Sequence, residues 1–471
     1  MKPFAESVFE SPTHSEVEAK LRSLLVELGN ADKILGIQVC AYKDGKVIID
    51  TSAGFMGEDD PRPVQPDTLF PVFSTTKGVT AGMMHWLADK GYPRQFHIFN
   101  SHKGCYVVSF MYRNNTMKLF RHRKLKLDEN VANIWPEFGS NGKDQIKVHH
   151  ILNHTSGLHN ALAGICENEP AVFCDFDECV KRIATVEPET EPGCEQLYHY
   201  FSYGWLCGAI IEHASGKKFQ EILEEAFVRP LNVEGELYIG IPLGVESRLA
   251  TLTFDTADFN IFAAISANSE FRAATGTPST LTADMIADLI PLSNTLNLRR
   301  AIHPAANGHF SARALARYYA ALVDGGTILP HHSSTLPPLG SHPHHPSSPS
   351  KNQKDEIETK IFSNPKSKIH DAFLGSGDYK DLVLPNGKIG LGFRRANTTD
   401  GLLIGFGHAG LGGSVGYGDI NNRFSIAVTV NKMSFGALSG EIIRFVCSEL
   451  ELPVPEDYAG SRDFAGKPVI N

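Results

Sequence analysis

Pro71-Val72-Phe73-Ser74-Thr75-Thr76-Lys77-Gly78-Val79-Thr80 is the stretch whose reading decides the fold. An apolar run from Leu69 leads into it, and Val79, Met83, Met84 and Leu87 follow at helical spacing. That spacing predicts a helix with a packed face, opening near Ser74 and ending at Gly91. Ser74 and Lys77 stand nearly one turn apart, so hydroxyl and amine share a face. A helix start also presents backbone N–H groups able to stabilise an oxyanion. Serine is a weak nucleophile until a base takes its proton. A lysine in apolar surroundings has its charged form disfavoured, which suits that base. Ser-x-x-Lys alone arises readily by chance on a solvated helix. The apolar flanks make it a candidate site.

Before this stretch, Ser15-Glu16-Val17-Glu18 reads as a capping box, and Val17, Leu21, Leu24, Leu25 and Leu28 form a helical stripe that Gly29 ends. Ile34 to Tyr42 and Lys46 to Asp50 read as two strands joined at Asp44-Gly45, a hairpin signal. After it, residues 124–330 are mostly helical and loop-like, with long helices near 203–216 and 218–228 and Pro230 just beyond. Strands return at Gly401 to His408, Gly413 to Gly418 and Phe424 to Asn431, with a turn at Asn421-Asn422. A helix from Ser439 to Leu450 closes the pattern. The expectation is a sheet covered by helices, with a helical region inserted.

Composition narrows the function classes. The 471 residues are 42% apolar and 21% charged, as in a soluble globular protein. Net charge is −9 with no basic stripe, which argues against a nucleic-acid partner. No stretch reaches the ~18 apolar residues of a membrane span. The N-terminus lacks a secretory apolar segment and is too acidic for a good transit peptide. The 8 cysteines include no Cys-x-x-Cys pair, and Cys40, Cys207 and Cys447 lie in apolar runs. They read as reduced thiols of an intracellular protein, with a disulfide framework the minority reading. The expected location is cytoplasmic, or organellar if the sequence is part of a longer natural chain.

Two segments look foreign to a packed domain. Residues 330–360 begin Pro330-His331-His332-Ser333-Ser334 and are rich in Pro, Ser and His, so a disordered loop is expected there. Unpositioned histidines such as His331, His332, His342, His344 and His345 rarely hold a metal, and no metal is expected. Residues 92–123 are basic and aromatic. Removing them would join Gly91 to Lys124 in a natural helix-turn-helix passage. They read as an insertion forming a flexible surface loop, or as an unspliced intron in the gene model.

Three further pieces fall in order with Ser74-x-x-Lys77. They are His154-Thr155-Ser156-Gly157-Leu158, Tyr198-His199-Tyr200, and His408-Ala409-Gly410 at the start of a glycine-rich turn. Together they resemble the serine β-lactamase and penicillin-binding-protein superfamily, in its class C-like branch of β-lactamase-related esterases and D-aminopeptidases. The stretch from Leu197 to Leu252 is also similar to the β-lactamase-like region of plant proteins that carry an atypical kinase domain. The resemblance implies an α/β (α+β) transpeptidase-like fold over about residues 1–455, an antiparallel sheet flanked by helices. Its sheet part covers about 15–90 and 385–455, its helical part about 124–330, and 456–471 form a tail.

Carried onto this sequence, the resemblance implies an acyl-enzyme on Ser74. Lys77 eases the serine's deprotonation, and Tyr198 is the partner base and acid, its pKa pulled down by the nearby ammonium. The N–H groups of Ser74 and Leu411 form the oxyanion hole, and the glycines around Gly410 allow close approach. His154 is a fold marker, and His149 and His150 are structural or exposed. The family's Tyr-x-Asn is here Tyr198-His199-Tyr200, and its Lys-Thr-Gly is His408-Ala409-Gly410. A mostly neutral histidine holds a substrate carboxylate less strongly than lysine. Both departures favour a small-molecule ester or amide with an uncharged acyl group over a penicillin, with no cofactor. The alternative is a scaffold that keeps the fold without turnover, its site covered by the 92–123 segment.

Overall fold

The computed structural model describes residues 3–95, 108–113, 116–123, 125–270, 272, 276–332, 335–343, 359–435 and 437–459. Its main sheet has six antiparallel strands. In chain order they are β1 (Gly36–Lys43), β2 (Lys46–Gly54), β3 (Arg394–Asn397), β4 (Leu403–Ala409), β5 (Val415–Asp419) and β6 (Phe424–Val430), and in space they run β3-β4-β5-β6-β1-β2. The β1–β2 turn falls at Asp44-Gly45, both with positive φ (51° and 77°), as a tight primed turn requires. The edge strand β3 was not foreseen, because Arg-Arg-Ala-Asn has no alternating pattern.

Side chains alternate across the sheet and divide the core. Val39, Ala41, Ile426 and Val428 pack with Leu21, Leu25, Ile442 and Val446 of α1 (Glu16–Asn30) and the closing helix α5 (Ala437–Glu449). Cys40, Tyr42 and Ala427 face the other way, into the larger core with α2 (Thr75–Lys90), α3 (Ser202–Ser215) and α4 (Ala312–Val323). Both faces are therefore covered, which is why β1 and β6 read as nearly unbroken apolar runs.

Ser15 caps α1 by accepting the Glu18 N–H at 3.1 Å. Glu18 does not complete the expected box. Its carboxylate takes the His14 N–H at 2.7 Å and pairs with Arg22. The expected 218–228 helix runs from Phe219 to Leu223, widens into a π turn at Glu224–Val228, and ends in Arg229–Leu231. Pro230 thus lies inside the last turn, not after it.

Both foreign-looking segments depart from the expected loops. Strands Tyr92–Gln95, Val108–Arg113 and Thr116–Arg123 form a three-stranded antiparallel sheet. The N–H groups of Gly91 and Leu125 both donate to the Leu87 carbonyl, so the chain returns to the point it left. In the His-rich segment, the described parts are packed. His332 is buried with Nε2 2.7 Å from Asp50 and Nδ1 3.0 Å from the Tyr42 hydroxyl. His342 Nε2 lies 3.2 Å from Asp67, and Leu339 is buried. These histidines meet partners nearly three hundred residues away in sequence, which composition cannot register. Residues 344–358, with His344 and His345, lie outside the described residues, as do 460–471 of the tail.

Cys40, Cys174, Cys179, Cys194, Cys207 and Cys447 are free thiols. Among the described residues no helix is long and apolar enough to cross a membrane.

Candidate active site

The approach to Ser74 is fixed by a second, small sheet of Phe70–Pro71, Gly308–Phe310 and Leu237–Ile239. Val72 N–H donates to Gly308 O at 3.0 Å. Phe73 then takes a left-handed conformation (φ 46°), a strained choice for a bulky residue. The sharp turn puts Ser74 at the N-cap of α2, yet its hydroxyl makes no capping bond. The neighbouring threonines hold the turn. Thr76 Oγ1 donates to Phe73 O and accepts the Gly308 N–H at 2.8 Å. Thr75 Oγ1 donates to Ser414 O at 2.9 Å, tying α2 to the glycine-rich turn after β4. The serine hydroxyl is thereby left for other work. Sequence reading found Ser74 and Lys77 but missed both threonines and the Phe73 turn.

Lys77 is fully buried. Its Nζ lies 3.2 Å from Ser74 Oγ, 2.8 Å from Tyr200 O and 3.1 Å from Ala305 O. Burial drives its pKa well below the usual lysine value, and among the described residues no carboxylate offsets this. A neutral amine fits the three contacts. In that form its two N–H groups would go to the two carbonyls, leaving its lone pair for the serine hydroxyl.

The Tyr198 ring centroid lies 4.8 Å from Lys77 Nζ. The hydroxyl is buried and faces Ser74 without a well-aligned hydrogen bond. Here the expectation from sequence is corrected. Burial raises the Tyr198 pKa, outweighing the opposing effects of Ser74 and Arg394. The same burial lowers the Lys77 pKa, and the lysine is not among the groups that offset the tyrosine's rise. The proton of the pair therefore rests on the phenol.

His408, at the end of β4, is 5% exposed, with Nδ1 3.0 Å from Ala409 O and its ring 6.4 Å from that of Tyr198. Burial pushes its pKa down to about 3, so it is neutral. A Cβ on Gly410 would come within 2.1 Å of Val72 O. That position needs glycine if the turn is to lie against the start of α2. The Gly410 N–H is taken by Ser414 O at 2.7 Å. The N–H groups of Ser74 and Leu411 meet no acceptor in hydrogen-bonding geometry among the described residues.

At the asparagine position of the family pattern, the Tyr200 hydroxyl donates to Thr280 Oγ1 at 2.9 Å. His154 is buried, and its Nδ1 accepts the His199 N–H at 3.0 Å. It is a hydrogen-bonded residue, as its sequence context implied. His149 is buried and His150 half-buried. Among the described residues no three His, Cys, Asp or Glu side chains are grouped to hold a metal ion.

The Beta-lactamase family profile matches residues 21–444. The chain belongs to this family. It is 26% identical over 401 residues to "Esterase/beta-lactamase LipL" of Mycobacterium tuberculosis, covering 84% of this chain and 77% of that protein. Among solved structures, a penicillin-binding-protein homologue from Caulobacter crescentus superimposes with a TM-score of 0.62 at 26% identity, covering 90% of this chain and 94% of that one. A family VIII carboxylesterase superimposes at 0.61 with 22% identity, covering 90% and 94%, a likeness of fold alone. The antiparallel sheet flanked by helices is thus the β-lactamase/transpeptidase-like fold expected from the sequence.

Proposed function

We propose that this β-lactamase-family chain is a serine hydrolase that cleaves a small ester or amide with an uncharged acyl group through an acyl-enzyme on Ser74. One observation carries the reading: the uncapped Ser74 hydroxyl lies 3.2 Å from a fully buried, uncompensated Lys77 amine. Lys77 takes the serine proton as Oγ bonds to the acyl carbon. The N–H groups of Ser74 and Leu411 receive the developing oxyanion. As the bond to the leaving group breaks, the Tyr198 phenol donates its proton to that group and recovers it from Lys77. Water then repeats the cycle on the acyl-enzyme.

The uncharged acyl group follows from electrostatics. Burial lowers the Lys77 pKa and keeps His408 neutral, and Arg394 is held by both oxygens of Asp457 at 2.8 Å. A substrate carboxylate would find no ready counter-charge among these groups. The esterase half of LipL's name agrees with this reading. The kinship to plant proteins with an atypical kinase domain belongs to the same proposal and rests on the Leu197 to Leu252 stretch. The scaffold alternative rested on the 92–123 segment following α2 directly. The 92–123 segment leaves from the opposite end of α2, about 24 Å along the helix from Ser74 by its rise per residue.

The test is labelling with a fluorophosphonate probe, followed by hydrolysis of matched neutral and carboxylate-bearing aryl esters. Labelling should vanish in Ser74→Ala and weaken in Tyr198→Phe, and neutral esters should be preferred. A folded wild-type sample that takes no label would overturn the reading.

A further inference from the structure

Tyr198 is flanked by two residues whose backbone amides are both held by one histidine. The Leu197 N–H donates to the His154 carbonyl at 3.0 Å, and the His199 N–H donates to His154 Nδ1, also at 3.0 Å. Between them the Tyr198 N–H donates to Gly276 O at 2.9 Å. A second clasp lies beside the first: His199 Nδ1 is 2.6 Å from Leu197 O, and its Nε2 is 2.7 Å from Ser156 Oγ. The His154 ring packs 4.9 Å from the Tyr198 ring and stacks 4.9 Å from that of Tyr203. His154 is 1% exposed and adopts φ 62°, the left-handed region. Such a conformation is strained for a residue other than glycine and persists only where surrounding contacts hold it. Here that conformation lets one residue offer its carbonyl to position 197 and its ring nitrogen to position 199.

We propose that His154 is the positioning residue for Tyr198, clamping the backbone on both sides of it and bracing its ring so that the phenol is aimed at Ser74. This deepens the acyl-enzyme reading and rests on it. The acceptor at Nδ1 requires a neutral imidazole with its proton on Nε2. Burial pulls the His154 pKa well below the usual value and keeps it neutral. Tyr198 makes no firm hydrogen bond through its own hydroxyl. Its aim therefore depends on the backbone and the ring face, which His154 controls.

Two substitutions separate the clamp from simple bulk. His154→Asn keeps an acceptor at the δ position and tolerates positive φ. His154→Phe keeps a ring and loses the acceptor. The readouts are steady-state hydrolysis of p-nitrophenyl butyrate and amide hydrogen exchange of peptides covering Leu197 to Tyr200. We expect His154→Phe to lower kcat about 10²-fold with KM changed less than about twofold, and to speed exchange at Leu197 and His199. His154→Asn should restore most of both. Equal kcat and equal exchange in the two variants would overturn the proposal. If the wild type neither labels with fluorophosphonate nor hydrolyses ester, the hydrolase reading fails, and the exchange comparison alone decides the clamp. Should His154→Phe not fold, the wild type decides: Leu197 and His199 amides exchanging as fast as exposed loop amides would overturn it.

Discussion

Lys77 and Arg313 are both long cationic side chains buried in the same large core, yet they are treated in opposite ways. Arg313 meets Glu236 through two hydrogen bonds of 2.7 and 2.5 Å and a third to Thr335 at 2.7 Å. Lys77 meets two backbone carbonyls and a serine hydroxyl, with no counter-ion among the described residues. A buried charge without a partner costs several kcal/mol, and lysine, unlike arginine, can escape by losing its proton. The Arg313–Glu236 pair is thus a structural solution to burial. In the proposed reaction, Lys77 is a base created by burial.

The sharpest way to break this contrast is Lys77→Met. It removes the proposed base while keeping an unbranched side chain of similar length. Labelling and hydrolysis should fall about 10²–10⁴-fold, the usual share of general-base catalysis. Stability in denaturant should fall by about 1–3 kcal/mol, since the buried Tyr200 and Ala305 carbonyls lose a donor but no counter-ion is stranded. A loss well above that range would mean that Lys77 is charged and structural.

Arg313→Met should do the reverse. It strands Glu236, buried with no exposed surface, and should cost about 3–5 kcal/mol. Labelling per folded molecule should stay at the wild-type level. Chemical denaturation alongside active-site titration separates the two effects.

The pH profile sharpens the same contrast. Because the proposed base is an amine, activity requires its deprotonated form. kcat/KM should fall about tenfold per pH unit below the Lys77 pKa and level off above it. The midpoint should lie well below the ordinary lysine range. Tyr198, its pKa raised by burial, should add no alkaline fall near neutrality, and His408, pushed down to about 3, should be silent there. Tyr198→Phe should lower the plateau without moving the acid limb. A limb that moves with Tyr198→Phe would assign the base to the tyrosine.

The Ser74/Lys77 pair was legible because helical periodicity sets the relation of positions three apart. The β1–β2 hairpin was legible because Asp44-Gly45 suits a turn with two positive φ angles. The groups that make Lys77 a base were not legible. Tyr200 O and Ala305 O are backbone carbonyls, and any residue carries one. The Phe73 turn was equally hidden, since nothing in its side chain announces positive φ. The Tyr198 pKa was misread because burial of the phenol itself outweighs its neighbours, and the sequence does not show that burial. At 330–343 composition outweighed contact: a Pro/Ser/His-rich stretch reads as disorder until Asp50 and Asp67 are brought beside its histidines.

That stretch gives the smallest predicted effect, and it tests whether its histidines do structural work. Burial acts to raise the Asp50 pKa, but the His332 hydrogen bond and the charges of His332 and Arg313 outweigh it and hold the carboxyl below its usual value. A carboxylate with a depressed folded pKa adds stability above its unfolded value, near 4, and loses it as pH falls through the folded value. Asp50→Asn should therefore cost about 1–3 kcal/mol at neutral pH, the price of a disrupted buried hydrogen bond. The deficit relative to wild type should shrink progressively below about pH 4. His332→Phe should show a similar loss without touching fluorophosphonate labelling. If Asp50→Asn matches wild type at neutral pH, the buried His332–Asp50 contact contributes nothing net. The packed half of the segment would then be held by Leu339 and by the Arg317 hydrogen bonds to Leu329 O and Pro330 O, not by its histidines.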